Sequence, residues 1–246
     1  MELRAVFFDF GGTLFSYSAL RERYQELIED LARRRGVEAP AGELHQAWRR
    51  SAVRIMGEWA RRPFYLHREL FAEVHAAFLR ELGAAPEPGD GDAFYEGQTA
   101  LGQAWIEPRP DAAATLARLR QSGLRLAIVS NIDDDQFARL WSRIGLAHHF
   151  EAVTTSEQAR SCKPHARIFE VALGKLPGLR PEEVAFVGDS LEHDVAGAGA
   201  FGMRTVWIGR AGPSDPSHPR PHHVIARLSE LPDALGGGSR RSTLAS

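Results

Sequence analysis

The chain has 246 residues, 43% of them hydrophobic and 25% charged, with a formal net charge of -2. That balance describes an ordinary globular protein and gives no electrostatic case for nucleic acid or for an anionic membrane surface. A single cysteine, Cys162, excludes an intrachain disulfide, and the basic residues comprise 28 arginines and two lysines, Lys163 and Lys175.

Residues 4 to 8 form a short apolar run that ends in Asp9 and the Gly11-Gly12 pair. The pattern predicts a buried parallel strand closing in a tight loop. The run is too short to span a membrane and lacks a signal-peptide pattern, so a cytoplasmic location is expected. Residues 17 to 104 contain no strand pattern. Tyr24, Leu27, Ile28 and Leu31 recur at helical spacing, as do Phe71, Val74, Phe78 and Leu82, with a Pro/Gly/Asp loop at 86–92.

From residue 106 onward, strand and helix alternate. Apolar runs at 124–129, 184–187, 203–208 and 223–225, and a weaker one at 150–153, predict strands; 111–121 and 134–144 carry helical stripes. The expected fold is α/β, a doubly wound parallel sheet (a Rossmann-like core) with an inserted all-helical cap domain. The expected boundaries are 1–15 and 106–236 for the core and 16–105 for the cap. Residues 237–246, Gly/Ser/Arg-rich, are expected to be disordered.

In open parallel sheets reactive groups lie beyond the carboxyl ends of the strands. Four polar clusters fall there: Asp9 to Thr13, Ser130-Asn131, Lys163-Pro164, and Gly188-Asp189-Ser190 with Asp194. Singly, each has a plain structural reading as a turn, a helix cap or a solvated side chain. Together they suggest one site. Asp9 and Asp189 at neighbouring strand ends would repel unless a cation lay between them, and an all-oxygen donor set favours Mg²⁺. Lys163 offers a compact charge for a phosphoryl oxygen, and Ser130 with the main-chain N–H groups around Gly11, Gly12 and Asn131 offers further donors.

These clusters, in this order, resemble the haloacid dehalogenase superfamily, most specifically over residues 188–203. The helical insert resembles that superfamily's type-1 cap. The resemblance implies Asp9 as nucleophile, forming an aspartyl-phosphate. It implies Ser130 and Lys163 as catalytic groups, with Gly12, Ser130, Asn131 and Lys163 holding phosphate. Mg²⁺ would be bound by Asp9, the Gly11 carbonyl, Asp189 and Asp194, the last either supporting the metal's water shell or pairing with Lys163. Thr13 and Asn131 would steady loops.

Phosphatases of the superfamily usually carry a second Asp two residues after the nucleophile, to protonate the leaving oxygen and activate water. Here that position is Gly11. Three explanations stay open: a good leaving group, a cap donor such as His45, His67, Glu69 or His75, or a reaction other than phosphoester hydrolysis. The implied activity is a Mg²⁺-dependent phosphatase acting on a small phosphorylated metabolite, as monomer or homodimer. One alternative is a 2-haloacid dehalogenase-like hydrolase, with Arg21 and Arg23 available to grip a carboxylate. Another is a weakly active protein that binds a phospho-ligand. Cys162 is either a thiol of lowered pKa or a buried structural cysteine, and Arg109-Pro110 suggests a cap hinge.

Overall fold

The computed structural model describes residues 2–209 and 219–236. The expected disordered tail at 237–246 lies outside the described residues.

Six parallel strands form one sheet in the order β3-β2-β1-β4-β5-β6. They are β1 (Ala5–Phe8), β2 (Arg125–Ser130), β3 (Ala152–Thr155), β4 (Val184–Gly188), β5 (Arg204–Ile208) and β6 (His223–Ile225). Each coincides with a predicted apolar run to within about two residues. The weak run at 150–153 supplies β3 by extending into Thr154 and Thr155, both buried.

All residues of β1 and β4 are buried, as expected of strands covered on both faces. Their side chains alternate between two cores. Val6, Phe8, Ala185 and Val187 pack on one face with Leu116, Phe137 and Leu231. Ala5, Phe7, Val184 and Phe186 pack on the other with Ile168, Phe169 and Ala198.

The helices in chain order are α1 (Arg21–Arg34), α2 (Ala41–Trp59), α3 (His67–Glu81), α4 (Asp90–Trp105), α5 (Ala112–Gln121), α6 (Asp134–Ile144), α7 (Ser156–Ala159), α8 (Ala166–Gly174), α9 (Gly197–Ala200) and α10 (Leu231–Gly236). Helices α1 to α4 lie between β1 and β2 and form the helical cap, preceded by one 3₁₀ turn, Tyr17–Leu20. Ile28, Leu31, Phe78 and Phe94 make one cap core, and Ile55, Tyr65, Leu70 and Val74 another.

The strand order reverses between β1 and β4. Their carboxyl ends therefore open a crevice where the connections diverge to opposite sides, and the cap sits over that point.

Candidate active site

β1 delivers Asp9, β2 delivers Ser130, the loop after α7 delivers Lys163, and β4 delivers Asp189. Asp194 follows within a π-type turn, Leu191–Ala196, whose start is capped by Ser190 Oγ accepting from His193 N at 3.0 Å. Carboxylate oxygens of Asp9, Asp189 and Asp194 all lie within 4.8 Å of one another.

Lys163 is 3% exposed, and its Nζ donates to Asp9 Oδ1 at 2.7 Å and to Asp194 Oδ1 at 2.6 Å. Burial alone would lower its pKa, but Asp194 and Asp9 outweigh that effect and hold the ammonium above its ordinary range. Ser130 Oγ donates to the same Asp9 Oδ1 at 3.1 Å, so among the described residues Asp9 Oδ2 is the oxygen without a protein donor. Asp194 Oδ2 accepts from Ser190 N at 2.9 Å; burial pushes this carboxyl up, against the pull of Lys163.

Asp189 differs from its neighbours. No lysine or arginine pairs with its carboxylate among the described residues. The side chain opens into the crevice, yet the surrounding protein, then Asp9 and Asp194, push its pKa up to about 7. A cation among the three carboxylates would reverse that shift, and an all-oxygen cluster with one unpaired carboxylate fits a hard divalent ion.

Two glycines make the crowding possible. A Cβ on Gly12 would lie 2.1 Å from Asp189 Oδ2, and Gly12 also has φ +85°. A Cβ on Gly188 would lie 2.2 Å from Asp194 Oδ2.

The Asn131 side chain is not free for phosphate: its Nδ2 donates to Lys163 O at 3.0 Å and its Oδ1 accepts from Lys163 N at 2.7 Å. It clasps the lysine's backbone and leaves only its main-chain N–H to offer a substrate. Thr13 Oγ1 is buried without a hydrogen-bond partner among the described residues, so the threonine steadies its loop through its carbonyl, which accepts from Arg109 Nε at 2.9 Å. Arg109 also donates to Gly12 O, and its N–H to Leu14 O at 2.8 Å. The segment read as a hinge is thus stapled to the nucleophile loop.

Cys162 is 1% exposed beneath the cap, and burial pushes its thiol pKa up, which favours the structural reading. Arg23 stacks on Trp105 at 3.5 Å rather than entering the site.

A cavity of about 900 Å³ runs from this floor to the cap. Of the proposed cap donors, His45 and His67 line it, whereas Glu69 and His75 do not. Glu69 is exposed, and His75 is buried in the cap core, stacked on Phe94 at 5.6 Å. His45 Nε2 is within 2.8 Å of Glu29 Oε1.

Sequence reasoning missed two residues. Tyr17 lines the cavity beside Asp9. Asp133, wholly buried, accepts from the N–H groups of His67 at 2.7 Å and Arg68 at 2.9 Å, so a core carboxylate caps the start of cap helix α3. The acidic run 133–135 after β2 was the available signal, but it reads as an ordinary helix start.

The haloacid dehalogenase-like hydrolase family matches residues 3–202. The chain belongs to this family. It is 33% identical to glyceraldehyde 3-phosphate phosphatase of Methanopyrus kandleri, over 80% of this chain and 91% of the relative. It is also 33% identical to ribulose-1,5-bisphosphate 5-phosphatase of Halopiger xanaduensis, over 94% and 98%. (S)-2-haloacid dehalogenases are among the family's matches too. In fold, the haloacid dehalogenase-like hydrolase is similar to the magnesium-bound hydrolase YfnB of Bacillus subtilis, with TM-score 0.76 and 20% identity over 96% of this chain and 99% of that one. The chain is therefore a hydrolase, with phosphatases among its relatives. No helix among the described residues is long and apolar enough to cross a membrane.

Proposed function

We propose that this hydrolase is a Mg²⁺-dependent phosphatase that acts on a small phosphorylated metabolite through an aspartyl-phosphate at Asp9. The observation that carries the reading is Asp189: a carboxylate within 4.8 Å of two others and, among the described residues, without a protein cation of its own. A dehalogenase that needs no metal has no use for that charge.

Asp9 Oδ1 is held by Lys163 and Ser130, which aims Oδ2 at the substrate. Oδ2 attacks phosphorus, the bond from phosphorus to the leaving oxygen breaks, and the leaving group departs with the electron pair. Water then attacks the phosphorus of the aspartyl-phosphate, releasing phosphate and restoring Asp9. Lys163 neutralises charge on the transferring group, and the N–H groups of Gly12 and Asn131 donate to its oxygens; Ser130 Oγ–H, which has one proton, joins them when it turns from Asp9 Oδ1. Asp9, Asp189 and the Gly11 carbonyl would hold Mg²⁺, with Asp194 supporting its water shell while it anchors Lys163. When bound, the cation supplies charge neutralisation for the phosphoryl oxygens. Residues 1–15 and 106–236 serve as the catalytic core and 16–105 as the cap that closes the cavity and selects the substrate.

Gly11 and the dehalogenase relatives favour one second reading, halide displacement by Asp9. The test is a panel of phosphomonoesters, acyl phosphates and 2-haloacids, with Mg²⁺ and with EDTA. Phosphate release that requires Mg²⁺ and falls on the order of 10⁴-fold or more in Asp9→Asn is expected. Halide release that persists in EDTA would replace the phosphatase with the dehalogenase.

A further inference from the structure

The space in which a second carboxylate would begin is filled. A Cβ placed on Gly11 would lie 2.1 Å from Tyr17 Oη and 3.0 Å from its Cζ. No side chain fits at position 11 while Tyr17 stays where it is.

The tyrosine is held there by construction. It opens the 3₁₀ turn Tyr17–Leu20, whose cap is Ser16 Oγ accepting from Ser18 N at 3.2 Å. Its ring packs edge-on against Phe15 at 5.0 Å, and Phe15 in turn against Phe10, the neighbour of the nucleophile, also at 5.0 Å. Tyr17 is nevertheless 56% exposed, because it faces the cavity that Asp9 and Asp189 also line. Among the described residues its hydroxyl has no hydrogen-bond partner. An unpartnered donor fixed beside a nucleophile is the arrangement expected of a group that waits for substrate.

Resting on the phosphatase reading above, we propose that the Tyr17 hydroxyl takes the place of the absent second carboxylate as a neutral hydrogen-bond donor to the leaving-group oxygen, which directs the enzyme to phosphates with good leaving groups, acyl phosphates first. The phenol keeps its proton throughout. A phenol is a far weaker acid than the carboxylic acid it replaces, so it shares its proton less with an alkoxide as the bond to phosphorus breaks. Alkyl phosphomonoesters therefore remain poor substrates, and carboxylate or phenolate leaving groups good ones.

The experiment compares wild type, Tyr17→Phe, Gly11→Asp and the double variant Gly11→Asp/Tyr17→Ala. Substrates are acetyl phosphate, alkyl phosphates and aryl phosphates of graded leaving-group pKa, all with Mg²⁺. Tyr17→Phe is expected to lower kcat/KM about 10- to 100-fold, more for poorer leaving groups, so that the plot against leaving-group pKa steepens. Its affinity for orthovanadate, a mimic of the transferring phosphoryl group, should fall about tenfold by calorimetry. Gly11→Asp alone should lose activity on every substrate, and the double variant should regain it and extend it to alkyl phosphates.

A slope and vanadate affinity unchanged in Tyr17→Phe, beside an active wild type, would overturn the assignment of Tyr17 alone. So would Gly11→Asp gaining alkyl phosphatase activity with Tyr17 in place. A wild type that releases no phosphate from any substrate would overturn the phosphatase reading and this proposal together.

Discussion

On the floor of the cavity, charged groups hold one another: Lys163 spans Asp9 and Asp194, Asn131 grips the Lys163 backbone, and Ser190 N–H closes on Asp194. On the roof the contacts are aromatic. Trp48 lies 4.6 Å from Phe94, and Tyr24 packs edge-on against both. The floor is assembled from strand ends joined by hydrogen bonds, whose distances and directions are narrow. The roof is assembled by burial, which is insensitive to direction and tolerates substitution of similar volume. A nucleophile needs the first kind of support and a substrate-shaped enclosure only the second. The two regions meet at Asp133, where a core carboxylate holds a cap helix by its N–H groups.

The largest effect that would test this contrast is at Lys163. In Lys163→Met, Asp9 and Asp194 lose their shared buried cation. Stability in urea should fall by about 3–5 kcal/mol, together with loss of turnover. A variant that unfolds at the wild-type midpoint would mean the floor is not held by charge.

Asp133→Ala should cost about 1–3 kcal/mol, because two N–H groups of α3 lose their acceptor. Burial alone would raise the Asp133 pKa; the His67 side chain and the N–H groups of Arg68 and His67 hold it below the ordinary range instead. Its contribution is thus present above the unfolded pKa of 3.8 and disappears as pH falls through the lower folded value. The same variant sharpens the comparison: thermal unfolding should begin earlier while Mg²⁺ affinity, a property of the floor, holds.

A smaller effect concerns pH. Asp189 has a folded pKa of about 7 against an ordinary 3.8, so between those values the folded state keeps a proton the unfolded state has lost. Metal-free stability should therefore fall as pH rises through that window and level off above about 7. Mg²⁺ must displace that proton, so its affinity should weaken by up to about tenfold per pH unit below the folded pKa. Scanning calorimetry in EDTA and in Mg²⁺ at several pH values checks both signs. The Mg²⁺-induced rise in Tm should be larger at the alkaline end, and a rise independent of pH would remove Asp189 from the metal site.

Much of this architecture was legible in the chain itself. Val6 and Phe8 against Ala5 and Phe7 show the period-two alternation of a strand covered on both faces. Gly188-Asp189-Ser190 announces a strand end. Repeats such as Val74 and Phe78 announce helices. Asp9, Ser130 and Asp189 were recognisable because each ends or directly follows a strand, and parallel strands bring their carboxyl ends together whatever the loops do; Lys163 and Asp194 lie further past their strands and were recognisable by the resemblance of their motifs.

Other features had no local signature. Nothing near Tyr17 indicates that its hydroxyl reaches the Cα of Gly11, since that depends on how a 3₁₀ turn packs against Phe15. The Asp133 partners lie 65 and 66 positions away, and the Arg109 partners on the nucleophile loop 96 and 97. Cys162 is buried because cap residues cover it. Periodicity along the chain determines strands, helices and which residues end them, because those depend on neighbours a few positions apart. Which unpaired donor meets which acceptor across the cavity depends on how the cap docks on the core, and only the tertiary structure decides that.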